Sequence, residues 1–220
     1  MNMSRKCILA SGSPRRIEIM RANGIDPLIM PAKIEENIPP VCGMCETVMF
    51  LALKKAKWVE EKYLNETLNE TLTDFASDLS VDAERSVDFQ KQAGKQTAVI
   101  LAADTIVYKD GIMGKPKDRQ DAFRMLSLLR NDVHYVVTGV ALVEAGCQNA
   151  RVFAEVTKVF VKDFTDEQLN AYLDTDEPYD KAGGYAIQGL FGKYIDHIEG
   201  SYDNVVGFPW EKIVKELGRL

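Results

Sequence analysis

The chain has 220 residues, of which 46% are hydrophobic and 27% are charged, a composition typical of a folded globular protein. Its net charge of −6 argues against a broad basic surface for nucleic acid, and no apolar run reaches the ~20 residues of a membrane-spanning helix. The first residues lack the apolar core of a secretory signal. We therefore expect a cytoplasmic protein with no nucleic-acid or membrane partner.

The first half of the chain alternates strand and helix patterns, which indicates an α/β fold. In chain order, the pattern predicts a strand over 6–10, a helix over 14–23, a short strand near Leu28, a helix over 46–63 and a strand over 98–103. Residues 64–96 are polar and acidic. We interpret them as an insertion, partly helical at most, whose first residues extend the preceding helix by one or two turns.

The second half adds a predicted hairpin, because Asp110 and Gly111 separate apolar residues 105–108 from 112–113. A helix over 119–129 carries an apolar stripe that is typical of a core face. The remaining predictions are a strand pair over 135–143 and 153–162, a helix that Thr165 and Gln168 cap and that ends near Leu173, and a terminal helix over 209–217.

A candidate phosphate site lies at the first strand-to-helix turn. Ser11, Ser13, Arg15 and Arg16 surround a predicted helix N-terminus, where free backbone N–H groups and the helix dipole attract anions. Hydroxyl and guanidinium groups are also good phosphate donors. The alternative is a well-capped helix with two solvated arginines.

Two acidic positions are candidates for catalysis or metal binding. Asp104 follows an apolar strand, and at the end of that strand it is placed to hold Mg²⁺ or to take a proton from water. Glu36 lies in a proline-bounded loop and is available to share a metal with Asp104. The alternatives are a turn-forming aspartate and a solvated loop.

Two lysines are candidates for binding an anion. Helical periodicity places Lys55 among Val48, Leu51 and Val59, so its ammonium group needs an anion, a structural carboxylate or a path to solvent. Lys115 follows the predicted hairpin on a rigid turn.

The segment 180–189 combines Lys181 with several glycines and the amide of Gln188. An amide offers a donor and an acceptor together, so Gln188 suits recognition of a base edge. The alternative is a loop amide that bonds nearby backbone.

Together these segments resemble the Maf family of nucleoside triphosphate pyrophosphatases. The resemblance rests on five motifs in the family's order, at 9–16 (LASGSPRR), 103–105 (ADT), 114–116 (GKP), 180–189 (DKAG with IQG) and 200–209 (GSY through GFP). It spans nearly the whole chain except residues 64–96. It implies an elongated mixed-sheet α/β fold related to the inosine triphosphate pyrophosphatases, a single domain over 1–220 with two lobes flanking a central cleft, and a homodimer.

The resemblance also implies a reaction. Water would attack the α-phosphorus with the help of Mg²⁺, or Mn²⁺ in its place, releasing a nucleoside monophosphate and pyrophosphate. Carried over by position, Asp104 is the catalytic carboxylate, as base or metal ligand, and Glu36 helps to hold the metal. The remaining carried-over residues bind the polyphosphate, namely Lys55, Lys115, Ser13 and Arg16.

Within the family, the resemblance extends to the pyrimidine enzymes, which carry Arg, Thr and Gln at three selectivity positions. This chain has Arg15, Thr105 and Gln188 there, so we expect dTTP and UTP as substrates. The alternatives are a 7-methyl-GTP or other purine pyrophosphatase and a nucleotide-sensing regulator of cell division.

Overall fold

A seven-stranded mixed sheet forms the centre of the computed structural model, which describes residues 5–37, 43–77 and 98–220. The strands are β1 Cys7–Leu9, β2 Leu28–Ile29, β3 Val99–Tyr108, β4 Ile112–Met113, β5 Val133–Glu144, β6 Ala150–Val161 and β7 Ile195–Glu199. Their order is β2-β1-β3-β5-β6-β7, and β4 pairs with β3. β1 is parallel to β2 and β3, whereas the remaining pairs are antiparallel.

Helices cover both faces of the sheet, which confirms the predicted α/β class. They are α1 Pro14–Ala22, α2 Met44–Ser77, α3 Arg119–Leu129, α4 Asp166–Leu173, α5 Tyr202–Val206 and α6 Trp210–Leu217. Short 3₁₀ turns occupy Glu177–Asp180, Ala182–Gly184 and Leu190–Tyr194. No helix within the described ranges combines the length and apolar character that a membrane span needs. The two lobes and the homodimer stay predictions.

The two faces of β3 have different partners. Ala52 and Ala56 of α2 pack in one core cluster with Ala102 of β3. Met20 of α1 packs in another cluster with Ala103 and the start of α6. Because side chains of a strand alternate between its faces, Asp104 lies on the α2 side and Thr105 on the α1 side.

Several local predictions are confirmed. The apolar stripe of α3 is buried, at Ala122, Met125, Leu126 and Leu129. Thr165 and Gln168 form the predicted capping box. The hairpin pairs Tyr108 with Ile112. The long strand pair also forms, with wider bounds than the pattern indicates except that the second strand ends at Val161, one residue earlier than predicted. In the terminal helix, Pro209 is the cap rather than the first residue.

The prediction that Asp104 ends a strand is wrong. β3 continues through Asp104 to Tyr108, and its ladder with β5 is unbroken. The residues after Asp104 are Thr, Ile, Val and Tyr, which favour a strand, and each has a partner on β5. Asp104 is therefore an inward-facing carboxylate in the middle of a central strand, 8% exposed.

Helix α2 is longer than predicted. It continues to Ser77, about four turns beyond Tyr63. Residues 64–77 contain no proline or glycine that would end a helix, and the side chains of Leu64 and Leu68 are exposed. Residues 78–96 of the predicted insertion lie outside the described residues, so the insertion itself stays a prediction.

A glycine on β5 brings α2 close to the sheet. Gly139 lies opposite Asp104 in the ladder, and a Cβ at this position would lie 2.3 Å from the backbone carbonyl of Val48. No larger residue fits without displacing α2. This close approach carries the helix over the strand that holds Asp104.

Candidate active site

A cavity of about 300 Å³ lies beside the middle of β3. Its lining includes ten of the predicted site residues, Ser13, Arg15, Arg16, Glu36, Lys55, Asp104, Thr105, Lys115, Lys181 and Gln188. The eleventh predicted residue, Ser11, does not line the cavity. Its hydroxyl accepts a hydrogen bond at 3.1 Å from Arg16, which does. The structure thus brings residues from four of the motifs to one place, together with Glu36 and Lys55, and Gly207 of the fifth motif also lines the cavity.

The start of α1 presents free donors to this cavity. Ser13 is the N-cap, and its hydroxyl caps no backbone N–H among the described residues. Pro14 follows at the first helical position, where its missing N–H costs nothing. Arg15 forms no hydrogen bond or ion pair within the described part of the chain. The helix terminus therefore offers a hydroxyl, backbone donors and an uncommitted guanidinium group.

Arg16 is committed to the protein instead. It donates to the carbonyl oxygen of Gly207 at 3.0 Å, to that of Ala103 at 2.9 Å, to Ser11 Oγ at 3.1 Å and to Thr105 Oγ1 at 3.2 Å. A guanidinium group has five N–H donors, so little capacity remains. Arg16 ties α1, β3 and the turn after α5 together, and its predicted share in clamping a triphosphate stays a prediction.

The charge of Arg16 survives its burial. Burial lowers the pKa of Arg16 to about 10, and the nearby Arg15 adds to that decrease. Asp104 and Glu36 oppose it electrostatically. Arg16 is therefore protonated at neutral pH and contributes a positive charge to the cavity wall.

Lys55 joins the two predicted acidic residues. Its ammonium group lies 2.6 Å from Asp104 Oδ1 and 2.7 Å from Glu36 Oε1. The side chains of Lys55 and Asp104 are 15% and 11% exposed, whereas that of Glu36 is 57% exposed. A carboxylate from the sheet and one from a loop thus converge on a single cation.

The surroundings of Lys55 agree with the helical periodicity. Val48, Leu51 and Val59 are buried on the same helix face. The neighbouring Lys54 points elsewhere, and its ammonium group donates to the carbonyl oxygen of Glu35 at 2.6 Å. Of the alternatives open to Lys55, the structure shows a pairing with carboxylates.

Positive charge predominates in the cavity, although the whole chain has a net charge of −6. Among the described residues, five basic side chains line it, Arg15, Arg16, Lys55, Lys115 and Lys181, against three acidic ones, Glu36, Asp104 and Asp180. Lys115 has no hydrogen bond or ion pair within the described residues, whereas Lys181 lies 2.5 Å from Asp180. Such a cavity attracts an anion with several charges.

Gln188 lies in the turn of residues 186–189, which a hydrogen bond from Gly189 N–H to the carbonyl oxygen of Ala186 closes at 3.1 Å. Its side chain forms no hydrogen bond within the described residues, and it lines the cavity. The amide is not used by nearby backbone and is available to a ligand.

Sequence reasoning missed Tyr185, which lines the cavity from the same glycine-rich segment as Gln188. Its hydroxyl lies 2.6 Å from Nε2 of the buried His134. Burial chiefly, with Lys109 adding, lowers the pKa of His134 to about 3. The neighbouring glycines were a signal for Tyr185, but nothing local marks His134 as its partner.

Comparison with known proteins identifies the family. A family model described as Maf-like protein matches residues 6–220. A dTTP/UTP pyrophosphatase of Acetivibrio thermocellus is 40% identical over 98% of this chain and 92% of its own length. A protein of the same name from Alkaliphilus oremlandii is 36% identical over 95% of this chain and 93% of its own length. Another, from a Geobacillus strain, is 35% identical over 98% of both chains. The chain belongs to the Maf family.

Proposed function

We propose that this protein is a nucleoside triphosphate pyrophosphatase that hydrolyses the α–β phosphoanhydride of dTTP and UTP. The observation that carries the proposal is the bridge of Lys55 between Asp104 and Glu36, in the same cavity as a helix N-terminus and additional cations. Relatives named dTTP/UTP pyrophosphatase support the choice of substrate.

The triphosphate is bound by the groups that the protein itself leaves uncommitted. Arg15 and Lys115 form no hydrogen bond or ion pair with the described residues, and the N-terminus of α1 adds backbone donors. Lys181, from the segment 180–189, adds a further positive charge to the cavity. Because phosphoryl transfer needs mainly positioning and charge neutralisation, these groups supply what the reaction demands.

The donor set also fits a divalent cation. Asp104 and Glu36 already converge on one ammonium group, so their oxygens are able to share a cation. Among the described residues, no group of three or more His, Cys, Asp and Glu side chains is placed to hold a metal. The other ligands would then be phosphate oxygens and water, as is usual for Mg²⁺, with Mn²⁺ as a substitute. When bound, the ion would neutralise charge on the reacting phosphate.

The chemistry is hydrolysis at the α-phosphorus. A water oxygen forms a bond to that phosphorus, the bond to the bridging oxygen breaks, and pyrophosphate leaves with the electron pair. Asp104 or Glu36 takes the proton of the water. Lys55 contacts both carboxylates, and we propose that it also neutralises charge on the polyphosphate.

A second group of residues that line the same cavity is available for base selection. The free amide of Gln188 presents both a donor and an acceptor, which suits the edge of a pyrimidine base. Thr105 is held by Arg16 and by Thr138, whose hydroxyl lies 3.0 Å away. We propose that Gln188, Arg15 and Thr105 together favour dTTP and UTP.

A nucleotide panel tests the function. With Mg²⁺ or Mn²⁺, we expect release of pyrophosphate and monophosphate from dTTP and UTP, with kcat/KM at least about tenfold above that for GTP and 7-methyl-GTP. A preference for 7-methyl-GTP would refute the specificity. Binding of dTTP without any pyrophosphate release would favour the nucleotide-sensing regulator. The homodimer stays a prediction, which light scattering in solution tests.

A further inference from the structure

Glu177 lies outside the cavity but joins three segments around it. Its Oε2 accepts a hydrogen bond from Leu190 N–H at 2.8 Å, and its Oε1 accepts one from the Tyr172 hydroxyl at 3.1 Å. Its backbone carbonyl oxygen accepts one from the ammonium group of Lys181 at 3.0 Å. One residue thus connects α4, a cation of the cavity and the chain directly after Gln188.

The carboxylate also packs against Gly189. A Cβ at Gly189 would lie 2.2 Å from Oε1 of Glu177, so a larger residue there would displace the Glu177 carboxylate. The N–H of Gly189 closes the turn by donating to Ala186. The two residues that follow Gln188 are therefore both held, one by contact and the other by a hydrogen bond.

Gln188 itself contributes nothing to this fixation, because its side chain forms no hydrogen bond within the described residues. Its direction depends on the backbone of its turn. Tyr172 supports the same arrangement as a proton donor, since burial chiefly, with Glu177 adding, raises the pKa of its phenol.

We propose that Glu177 is a positioning residue for base recognition, because its carboxylate fixes the turn that presents the Gln188 amide to the cavity. This inference rests on the proposed hydrolysis of pyrimidine nucleotides. It assigns Glu177 no contact with the nucleotide and no share in the chemistry at Asp104 and Lys55.

The test compares Glu177→Ala with Glu177→Gln. In Glu177→Ala we expect the KM for dTTP to rise about tenfold and the ratio of kcat/KM for dTTP over GTP to fall about tenfold, with kcat within about threefold of wild type. Glu177→Gln retains an oxygen acceptor for Leu190 N–H, so both values should stay within about twofold. Glu155→Ala is the control, because it removes a half-buried carboxylate whose partner Lys212 lies outside the cavity.

Inorganic tripolyphosphate separates positioning from general damage. It has no base, so its inhibition constant should stay within about twofold of wild type in Glu177→Ala. In the Gln188→Ala background, Glu177→Ala should cause no further loss of discrimination, since both changes remove the same recognition. Fully additive losses, or a matching loss of tripolyphosphate binding, would overturn the proposal.

The two proposals fail in different ways. If wild type binds dTTP without turnover, the proposed hydrolysis fails. The preference for dTTP over GTP is then measured as the ratio of their dissociation constants, by calorimetry, in wild type and in Glu177→Ala. An unchanged ratio in Glu177→Ala would refute the positioning role alone. If that variant does not fold, Glu177→Asp replaces it, because the shorter side chain withdraws the carboxylate from Leu190 while keeping its charge.

Discussion

Asp104 and Gly139 lie directly opposite each other on β3 and β5, and the missing side chain at Gly139 determines what Asp104 can contact. The backbone of Val48 occupies the space where a Cβ would be. Two helical turns further along α2, Lys55 reaches Asp104 at 2.6 Å. The ion pair at the centre of the site thus depends on a glycine of the neighbouring strand.

Gly139→Ala should therefore damage both fold and activity. The added methyl group must displace α2, so we expect the free energy of unfolding to decrease by about 2 kcal/mol, measured by urea denaturation. The kcat should fall with it because Lys55 moves away from Asp104. Gly111→Ala is the control, since a Cβ there has no atom within 4 Å. Equal effects of the two substitutions would contradict this account.

Asp104→Asn should abolish turnover while preserving binding. The amide can neither take a proton nor bind a cation as a carboxylate does, so we expect a loss of about 10³ in kcat. The dissociation constant for dTTP, measured by calorimetry, should change less than about threefold, because the other cations of the cavity remain. A larger loss of kcat in Glu36→Gln than in Asp104→Asn would assign the proton transfer to Glu36.

Lys55→Met should strengthen cation binding and weaken catalysis. The ammonium group now contacts both carboxylates, so a divalent cation must compete with it. Without nucleotide, we expect the affinity for Mn²⁺, measured by calorimetry, to rise about tenfold and pyrophosphate release to fall. Lys57→Met should change neither value, since Lys57 pairs with Glu60 on the same helix and neither residue lines the cavity. Unchanged Mn²⁺ affinity in Lys55→Met would show that the lysine does not occupy the cation position.

Neighbouring arginines should respond differently to replacement. Arg16→Met leaves the carbonyl oxygens of Ala103 and Gly207 without their donor, so we expect a decrease in unfolding free energy of roughly 2–4 kcal/mol. Arg15→Met should change stability by less than about 0.5 kcal/mol and should raise the KM for dTTP. Chemical denaturation and steady-state kinetics check both expectations, and a stable Arg16→Met protein would refute the structural role of Arg16.

Acid should destabilise the protein through His134. Its pKa is lowered from 6.5 to about 3, chiefly by burial, so between those values the unfolded chain binds a proton that the folded chain does not. The contribution of His134 to the free energy of unfolding is therefore fully present above about pH 6.5 and is lost progressively as the pH falls towards 3. From pH 7 to 5 this group should cost about 2 kcal/mol.

Urea denaturation of His134→Gln at both pH values checks this contribution. The pH-dependent loss should be smaller in that variant than in wild type, and His197→Gln, which replaces a surface histidine, is the control. Lys109, Asp132 and Tyr185 are the groups near His134 that remain in the variant. An identical pH dependence in all three proteins would contradict the assignment.

Local patterns were sufficient to predict most elements, because α3 shows its buried stripe and α4 its capping box in consecutive residues. They failed at Asp104, because a charged residue after an apolar run suggested that the strand ends there. The strand continues because residues on β5, distant in sequence, pair with Asp104 and with the residues after it. The position of Lys55 followed from helical periodicity, but its approach to Asp104 depends on Gly139, which is far away in sequence.

The side chains around Gln188 were still harder to predict. Glu177 acts through Leu190, and His134 contacts Tyr185, 51 positions away. Neither relation follows a helical or strand period, because each depends on how loops fold back on the sheet. The sequence motifs could identify residues of the cavity, whereas the residues that hold them had no motif of their own.

Adjacent positions on β3 have consequences for how this enzyme family can diversify. Asp104 meets α2, whereas Thr105 meets Arg16 and Thr138 on the reverse side of the strand. A mutation that alters the surroundings of Thr105 need not disturb the Lys55 contact. Under the proposed roles of Thr105 in base selection and of Asp104 in hydrolysis, nucleotide preference can change on one side of the strand while the Lys55–Asp104 contact is kept on the other.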